Sequence, residues 1–145
     1  MHNNYMKLQF YSLPENEPFA RLAVGAFMLP LNPTVDELSD VKTALSEAVT
    51  NCIVHAYKGG VGTVTVEARM DDDTIHLKIS DTGRGIENIE KAIQPFFTTL
   101  SDEEHSGMGF TIMQTFMSDF SIESAVDSGT IVRLSKKIGQ NAARS

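Results

Sequence analysis

Two alternating apolar runs separated by three aspartates constrain the fold of this chain more than any other feature. Every second residue from 64 to 70 and again from 75 to 79 is apolar, and residues 71–73 are all Asp. A period of two is typical of strands with one buried face. A short polar turn between two such strands predicts an antiparallel hairpin. We therefore expect a sheet with one covered face at the centre of the fold.

The other elements are predicted from periodicity and from turn residues. We predict strands over residues 7–13, 64–70, 75–81, 121–126 and 130–136. We predict helices over residues 15–29, 34–57, 89–93 and 107–119. Thr34 and Glu37 fit a capping box at the start of the second helix. The element order predicts an α+β two-layer sandwich, in which helices cover one face of a mixed, mainly antiparallel sheet. At this length we expect residues 1–145 to form one domain.

Apolar spacing also predicts which side of each long helix is buried. In the first helix these positions are Phe19, Leu22, Ala23, Ala26 and Phe27. In the second helix they are Val41, Leu45, Ala48, Cys52 and Ile53. In the helix beginning near residue 107 they are Met108, Ile112, Phe116 and Met117.

The composition argues against several classes of protein. The net charge of −7, with one dense basic pair at Lys136 and Lys137, does not suit a general nucleic-acid binder. Solubility or a basic partner accounts for such acidity. Cys52 is the single cysteine, so no intramolecular disulfide forms, and its apolar neighbours predict a buried, inert thiol. We see no signal peptide and no run of about 20 apolar residues, so we expect a soluble cytoplasmic protein.

Three polar residues of the second helix are spaced by four, which predicts a shared face. These are Glu47, Asn51 and His55. An amide oxygen suits Mg²⁺, and a carboxylate one turn earlier suits the acceptance of a proton. The alternative is the solvated face of an ordinary amphipathic helix.

A short glycine motif follows the second strand of the hairpin. Asp81 ends this strand, where its carboxylate can accept a hydrogen bond from an exocyclic amine such as N6 of adenine. Gly83 and Gly85 lack a Cβ and let the backbone approach a flat ring. The alternative is a strand-to-loop turn with an Asx-type hydrogen bond.

A second glycine motif opens the helix predicted from residue 107. The backbone N–H groups of Gly107, Met108 and Gly109 and the helix N-terminus suit phosphate binding. Ile112 stands where a dinucleotide fingerprint has its third glycine, and the chain contains no lysine-bearing phosphate loop. The alternative is a flexible hinge. Thr130 is predicted to face the helices, either toward the site or as a buried threonine bonded to the backbone.

Together, these segments resemble the ATPase superfamily shared by gyrase B, Hsp90 and histidine kinases. Residues 47–51 resemble its N-box, residues 81–85 its first glycine box and residues 106–110 its second. Within the superfamily, the chain resembles most closely the sporulation anti-sigma factors that are serine protein kinases. The similarity extends over nearly the whole chain, including residues 19–22, 46–51, 95–99 and 106–113.

The resemblance implies a Bergerat-type ATP-binding fold with ATP and Mg²⁺ as cofactors. Asn51 would coordinate Mg²⁺, Glu47 would be the catalytic base or would orient water, and Asp81 would bind adenine with help from Thr130. Gly83 and Gly85 would line the base pocket, and residues 97–106 would form a lid over ATP. The other residues implied in nucleotide binding are His55, Thr99, His105, Ser106, Gly107, Met108, Gly109 and Phe110.

The resemblance also implies partners. The family binds a sigma factor, phosphorylates a serine of a small anti-anti-sigma protein and forms homodimers. The first helix would contribute to these surfaces, with Arg21 as a contact. The alternative for Arg21 is the polar side of an amphipathic helix.

The lid segment departs from the family pattern in its charge. Residues 100–105 contain Asp102, Glu103 and Glu104, and His105 is their one basic group. Phosphoryl transfer depends on electrostatic positioning, so we expect slow turnover. His55 is a candidate for part of the missing charge, and the alternative is an ordinary capping or helix-face histidine. Two alternatives to the sporulation anti-sigma kinase are open: a sigma-binding switch with little kinase activity, and an anti-sigma kinase of the stress-response type. A histidine kinase is disfavoured because we see no separate helix pair carrying a phospho-accepting histidine.

Overall fold

The computed structural model describes residues 3–86, 89–93 and 108–139. Its strands are β1 (Asn4–Tyr11), β2 (Thr63–Asp71), β3 (Thr74–Asp81), β4 (Asp119–Ala125) and β5 (Gly129–Lys137). Its α-helices are α1 (Asn16–Phe27), α2 (Val35–Asn51), α3 (Ile89–Ala92) and α4 (Gly109–Phe116). A 3₁₀ turn (Leu29–Leu31) precedes α2, and a π-helical turn (Cys52–Ala56) follows it. None of the helices within these ranges is long and apolar enough to cross a bilayer.

The five strands form one sheet in the order β1-β2-β3-β5-β4, and all four neighbouring pairs are antiparallel. The predicted hairpin is confirmed: β2 pairs with β3 from Val64 opposite Asp81 to Asp71 opposite Thr74. Alternate residues of both strands are buried, as the period of two predicts. The predicted sandwich is confirmed, with the helices packed on the buried face of the sheet.

Helix α2 is the central helix and contacts both α1 and α4. The predicted capping box begins it: Glu37 N–H donates to Thr34 Oγ1 (3.1 Å), and Thr34 N–H donates to Glu37 Oε1 (2.9 Å). The second carboxylate oxygen of Glu37 accepts the N–H of Gly139 (2.9 Å). The start of α2 is therefore tied to the chain just after β5.

The predicted buried face of α1 is wrong at two of its three largest residues. Phe19 and Leu22 are 50% and 65% exposed, whereas Ala20, Val24 and Gly25 are buried. Small residues let α1 approach α2 closely, since a Cβ on Gly25 would lie 3.1 Å from Cδ of Lys42. Phe19 and Leu22 are consequently left on the outside, whereas Phe27, also predicted to be buried, packs against the core.

Two other elements differ in position from the prediction. Strand β1 begins three residues earlier than predicted and ends at Tyr11, since Leu13 N–H turns back to Tyr11 O (2.7 Å). In α4 the fully buried residue is Met113, which was not among the predicted positions, while Ile112 is only half-buried. Gly109, Met113 and Met117 are spaced by four and form the buried face. Met117 is buried as predicted, whereas Gly109 and Met113 take the places predicted for Met108 and Ile112.

Candidate functional site

Glu47 and Asn51 lie one turn apart near the end of α2, and both are half-buried. The opposite side of the helix is core, because Val41, Leu45 and Ala48 are at most 1% exposed. The predicted division of α2 into a core face and a polar face is confirmed. It directs a carboxylate and an amide to the same side of the helix.

His55 follows Asn51 by four residues and is half-buried. It lies in the π-helical turn, where the hydrogen bonds span five residues instead of four. The α-helical spacing that aligns Glu47 with Asn51 does not apply within this turn, so the common face of all three residues stays a prediction.

Asp81 is the last residue of β3 and is only 8% exposed. Its Oδ1 accepts the N–H of Gly83 (2.9 Å), which is the Asx-type turn considered as an alternative from the sequence. Burial, and next the nearby charge of Asp81, raise the pKa of Cys52 well above its usual range. Cys52 is the buried, neutral thiol predicted, and Asp81 is held in a fixed orientation.

The loop after Asp81, residues 82–86, is held by three hydrogen bonds from its backbone N–H groups. Two of them go to the end of the π-helical turn and to the residue after it, and the third goes to strand β4. The bonds are Thr82 N–H to Tyr57 Oη (2.9 Å), Arg84 N–H to Ala56 O (2.8 Å) and Ile86 N–H to Ser124 Oγ (2.7 Å). The loop is therefore positioned by α2 on one side and by the sheet on the other.

Both glycines of this motif have packing roles that the sequence did not reveal. A Cβ on Gly83 would lie 2.1 Å from Ala56 O. Gly85 has a φ of +74°, and a Cβ there would lie 1.9 Å from Ala125 O. Close backbone contacts within the protein thus require glycine at both positions, whether or not these residues also line a binding site.

Thr130 lies directly opposite Asp81 in the pairing of β3 with β5. It has the same parity as the buried Val132 and Leu134, so its predicted orientation toward the helices is confirmed. Its hydroxyl is 2.8 Å from Ser124 Oγ, which also donates to Gly129 O (2.8 Å). The partner of Thr130 is therefore a side chain, and Ser124 could be found only from the strand register, since no motif marks it.

The second glycine motif is described only from Met108 onward. Helix α4 starts there, since Ile112 N–H donates to Met108 O (2.9 Å). Gly109 is buried, and the ring of Phe110 packs edge-on against Phe120 with 6.0 Å between centroids. The remaining predicted contacts, Thr99, His105, Ser106 and Gly107, and the lid over residues 97–106 lie outside the described residues.

Arg21 lies at the border of the buried face of α1, with its side chain 42% exposed. Its Nε is 3.3 Å from Oε2 of Glu17, and the same oxygen accepts the hydroxyl of Ser46 (2.8 Å). Glu17 thus orients Arg21 at the junction of α1 and α2.

The face of the sheet away from the helices carries a second set of charges, remote from Asp81. Lys78 Nζ is 3.6 Å from Glu67 Oε2, and Tyr5 donates to Glu67 Oε1 (2.7 Å). The hydrogen bond from Tyr5 is the main cause that lowers the pKa of Glu67, and burial, followed by Arg69, lowers the pKa of His76. These charges largely satisfy one another, so we place the functional site on the helix-covered side.

Comparison with known proteins gives the class of this fold. Residues 10–136 match the family model of the histidine kinase-like ATPase domain. The structure of the RsbU and RsbW domains of a Mycobacterium tuberculosis protein aligns over 93% of this chain and 32% of that one (TM-score 0.68, 17% identity). The catalytic domain of the histidine kinase ThkA aligns over 93% and 98% (TM-score 0.58, 15% identity). At these identities the two structures show a shared fold.

Sequence relatives narrow the class. An anti-sigma F factor of Caldanaerobacter subterraneus subsp. tengcongensis is 52% identical over 140 residues, covering 97% of this chain and 98% of the relative. One from Bacillus licheniformis is 48% identical over 141 residues, covering 97% of both chains. The chain belongs to the histidine kinase-like ATPase family and, within it, to the anti-sigma F factors.

Proposed function

We propose that this protein binds and inhibits the sporulation sigma factor F and uses Mg·ATP to phosphorylate a serine of its anti-anti-sigma antagonist. The kinase part of the proposal rests on one observation. The helix that bears Glu47 and Asn51 continues into the π-helical turn, and Ala56 O at the end of that turn accepts the N–H of Arg84 in the loop after Asp81 (2.8 Å). Groups suited to phosphate chemistry and to base recognition are thereby joined in one rigid unit. The names of the relatives support the sigma factor as partner.

The donor groups around Asp81 fit the adenine of ATP. A buried carboxylate held by Gly83 N–H presents a fixed acceptor to the exocyclic amine of the base. Thr130 and Ser124, which share a hydrogen bond of 2.8 Å beside it, add hydroxyl groups that donate or accept. Such a site discriminates adenine from bases that lack the amine, because an unmatched buried acceptor is costly.

The donor groups on α2 fit a magnesium nucleotide. In the described ranges no cluster of three His, Cys, Asp or Glu side chains could hold a metal. The amide oxygen of Asn51 is suited to Mg²⁺ that keeps its remaining ligands as waters and nucleotide phosphates. Bound there, the ion would neutralise phosphate charge. Glu47 accepts the proton of the attacking serine hydroxyl, and the backbone at the start of α4 faces the phosphates.

The outer surface of α1 fits a protein partner. Phe19 and Leu22 are exposed apolar side chains on the helix that carries Arg21, and Glu17 orients this arginine. Exposed apolar side chains and an oriented guanidinium are both typical of protein-binding surfaces. We propose that residues 1–145 act as one cytoplasmic domain, that the chain forms a homodimer, and that α1 contributes to the dimer and sigma surfaces.

A sigma-binding switch with little kinase activity is the second candidate, and one sequence observation favours it. Asp102, Glu103 and Glu104 place three negative charges in the segment that resembles the lid. Negative charge beside a triphosphate opposes phosphoryl transfer. We propose slow turnover, which replacement of these three residues by Asn, Gln and Gln should increase. An anti-sigma kinase of the stress-response type would show the same chemistry on a different antagonist.

Incubation of the protein with γ-labelled Mg·ATP and an anti-anti-sigma protein tests the proposal. Wild type should form phosphoserine. Glu47→Gln should bind ATP and sigma factor F normally but lose transfer, whereas Asn51→Ala should lose Mg²⁺-dependent nucleotide affinity. Asp36→Asn, which removes an exposed carboxylate of the same helix, is the matched control and should retain activity. If the wild type binds sigma factor F but forms no phosphoserine, the kinase proposal is wrong and the sigma-binding switch remains.

A further inference from the structure

Tyr57 makes a bridge between two strands at the edge of the site. Its hydroxyl donates to Thr63 O (2.6 Å) and accepts the N–H of Thr82 (2.9 Å). The hydroxyl of Thr82 is also within 3.4 Å. Thr63 begins β2, and Thr82 directly follows the end of β3, so one phenolic group joins the adjacent ends of both strands.

This bridge replaces the next step of the β2–β3 ladder. The last pair in register is Val64 opposite Asp81, which places Thr63 opposite Thr82. In an antiparallel pair, backbone N–H and C=O groups in such positions bond each other directly at about 2.9 Å. Here the tyrosine hydroxyl stands between them and holds the strands apart one residue beyond Asp81. The direction in which the chain leaves β3 is therefore set by Tyr57.

The position of Tyr57 is itself fixed on two sides. It directly follows the π-helical turn, whose last residue, Ala56, accepts the N–H of Arg84 (2.8 Å). Its ring lies against Gly62, where a Cβ would be 2.1 Å from Cε1 of the ring. π-Helical turns that accompany α-helices occur often at functional sites. Here the turn brings a helix-borne hydroxyl to the end of a strand.

We propose that Tyr57 is a positioning residue for recognition of the purine base, acting through Thr82 on the neighbouring Asp81. The inference rests on the proposed function, in which Asp81 accepts the exocyclic amine of adenine. The phenol fixes the backbone on the C-terminal side of Asp81, while the Asx turn to Gly83 fixes its carboxylate. Loss of the phenol frees Thr82 and lets Asp81 shift relative to the base. Loss of the phenol should therefore weaken the contact between Asp81 and the amine and leave the contacts to the phosphates unchanged.

The test compares the affinities of Tyr57→Phe and wild type for ATP and for inosine triphosphate, which lacks the 6-amino group. Tyr57→Phe should bind ATP about 3- to 10-fold more weakly, which is the effect of losing the hydrogen bond between Asp81 and the amine. Its affinity for inosine triphosphate should be unchanged. Tyr5→Phe is the matched control, since it removes one hydroxyl bonded to Glu67 (2.7 Å) on the far face of the sheet. It should change neither affinity. Hydrogen exchange in the nucleotide-free protein should show faster exchange of Thr82 N–H in Tyr57→Phe alone.

Gly62→Ala provides a second variant, because its Cβ displaces the tyrosine ring while the phenol is retained. It should reduce the preference for ATP in the same way. Equal affinities of wild type and Tyr57→Phe for ATP, or an equal loss for both nucleotides, would overturn the proposal. If the wild type binds ATP and inosine triphosphate equally, base recognition by Asp81 is contradicted. The exchange rate of Thr82 N–H in Tyr57→Phe would then still show whether the hydrogen bond to the phenol exists.

Discussion

Asp81 on β3 and Thr130 on β5 are direct cross-strand neighbours, and both lie on the sheet face that the helices cover. Strand register alone therefore brings together two polar groups that are 49 positions apart in the chain. Antiparallel pairing fixes the distance between them more firmly than a loop could, because every neighbouring rung must shift if one shifts. The predictions below concern this pair and the groups that hold it.

Asp81→Asn should separate the structural role of this residue from its proposed role in nucleotide binding. The amide oxygen of Asn can still accept the N–H of Gly83, so the Asx turn and the fold are retained. The negative acceptor for the adenine amine is lost, and ATP affinity should fall about 10- to 100-fold. Calorimetric titration with ATP measures this, and urea unfolding checks the fold. An unchanged ATP affinity would remove Asp81 from the binding site.

Gly85→Ala should destabilise the protein much more than Gly59→Ala. Both glycines have positive φ, +74° and +81°. An alanine at such an angle costs about 1–2 kcal/mol. At Gly59 no atom lies within 4 Å of the added Cβ, whereas at Gly85 the Cβ would meet Ala125 O at 1.9 Å. We expect a loss of about 1 kcal/mol for Gly59→Ala and of about 3 kcal/mol or more for Gly85→Ala in urea unfolding. Equal losses would show that the contact with Ala125 is unimportant.

Ser124→Ala should loosen the loop after Asp81. The hydroxyl accepts Ile86 N–H (2.7 Å) and contacts Gly129 O and Thr130 Oγ1 (2.8 Å each). Its removal leaves partly buried groups unsatisfied, at a cost of about 1–3 kcal/mol in the free energy of unfolding. Ser121→Ala changes an exposed serine of the same strand and should stay within about 0.5 kcal/mol of wild type. Comparable values for the two variants would contradict the role given to Ser124.

The raised pKa of Cys52 predicts a loss of stability at alkaline pH. In the unfolded chain the thiol ionises near its ordinary value of about 8.5, whereas burial, and next Asp81, keep it protonated to higher pH in the folded protein. The unfolded state therefore releases its proton first, and the free energy of unfolding falls as pH rises above about 8.5. This contribution is fully present below that pH.

Cys52→Ser lacks the titrating thiol and is the comparison for this prediction. Denaturant unfolding from pH 7 to pH 10 should give parallel curves for the two proteins below about pH 8. Above that pH the wild type should lose stability relative to Cys52→Ser by up to about 1.4 kcal/mol per pH unit. Parallel curves over the whole range would show that the thiol titrates normally in the folded state.

The sequence predicts those parts of the fold that depend on local periodicity and turn chemistry. The hairpin around Asp72 and the capping box of Thr34 and Glu37 are of this kind, and both are confirmed. The buried side of α1 is not, because the close approach to α2 selects small residues such as Gly25. A hydrophobic pattern does not show which of two apolar faces packs more tightly.

The candidate site divides in the same way. Asp81 and Asn51 stand in recognisable motifs, and the structure joins their segments through Ala56 and Arg84. Tyr57 and Ser124 carry no motif, since they act through hydrogen bonds to groups distant in sequence: Thr82 and Ile86. Only the strand register and the π-helical turn reveal such residues, and neither has a local sequence signal.

Glu37 caps α2 with one carboxylate oxygen and holds Gly139 with the other, across 102 positions of the chain. During synthesis, the helix that carries the candidate catalytic groups therefore gains this anchor only after β5 has been made. Contacts of such long range slow folding, because the chain must close a large loop before they form. The anchoring of the helix that bears Glu47 and Asn51 is thus linked to the completion of β5.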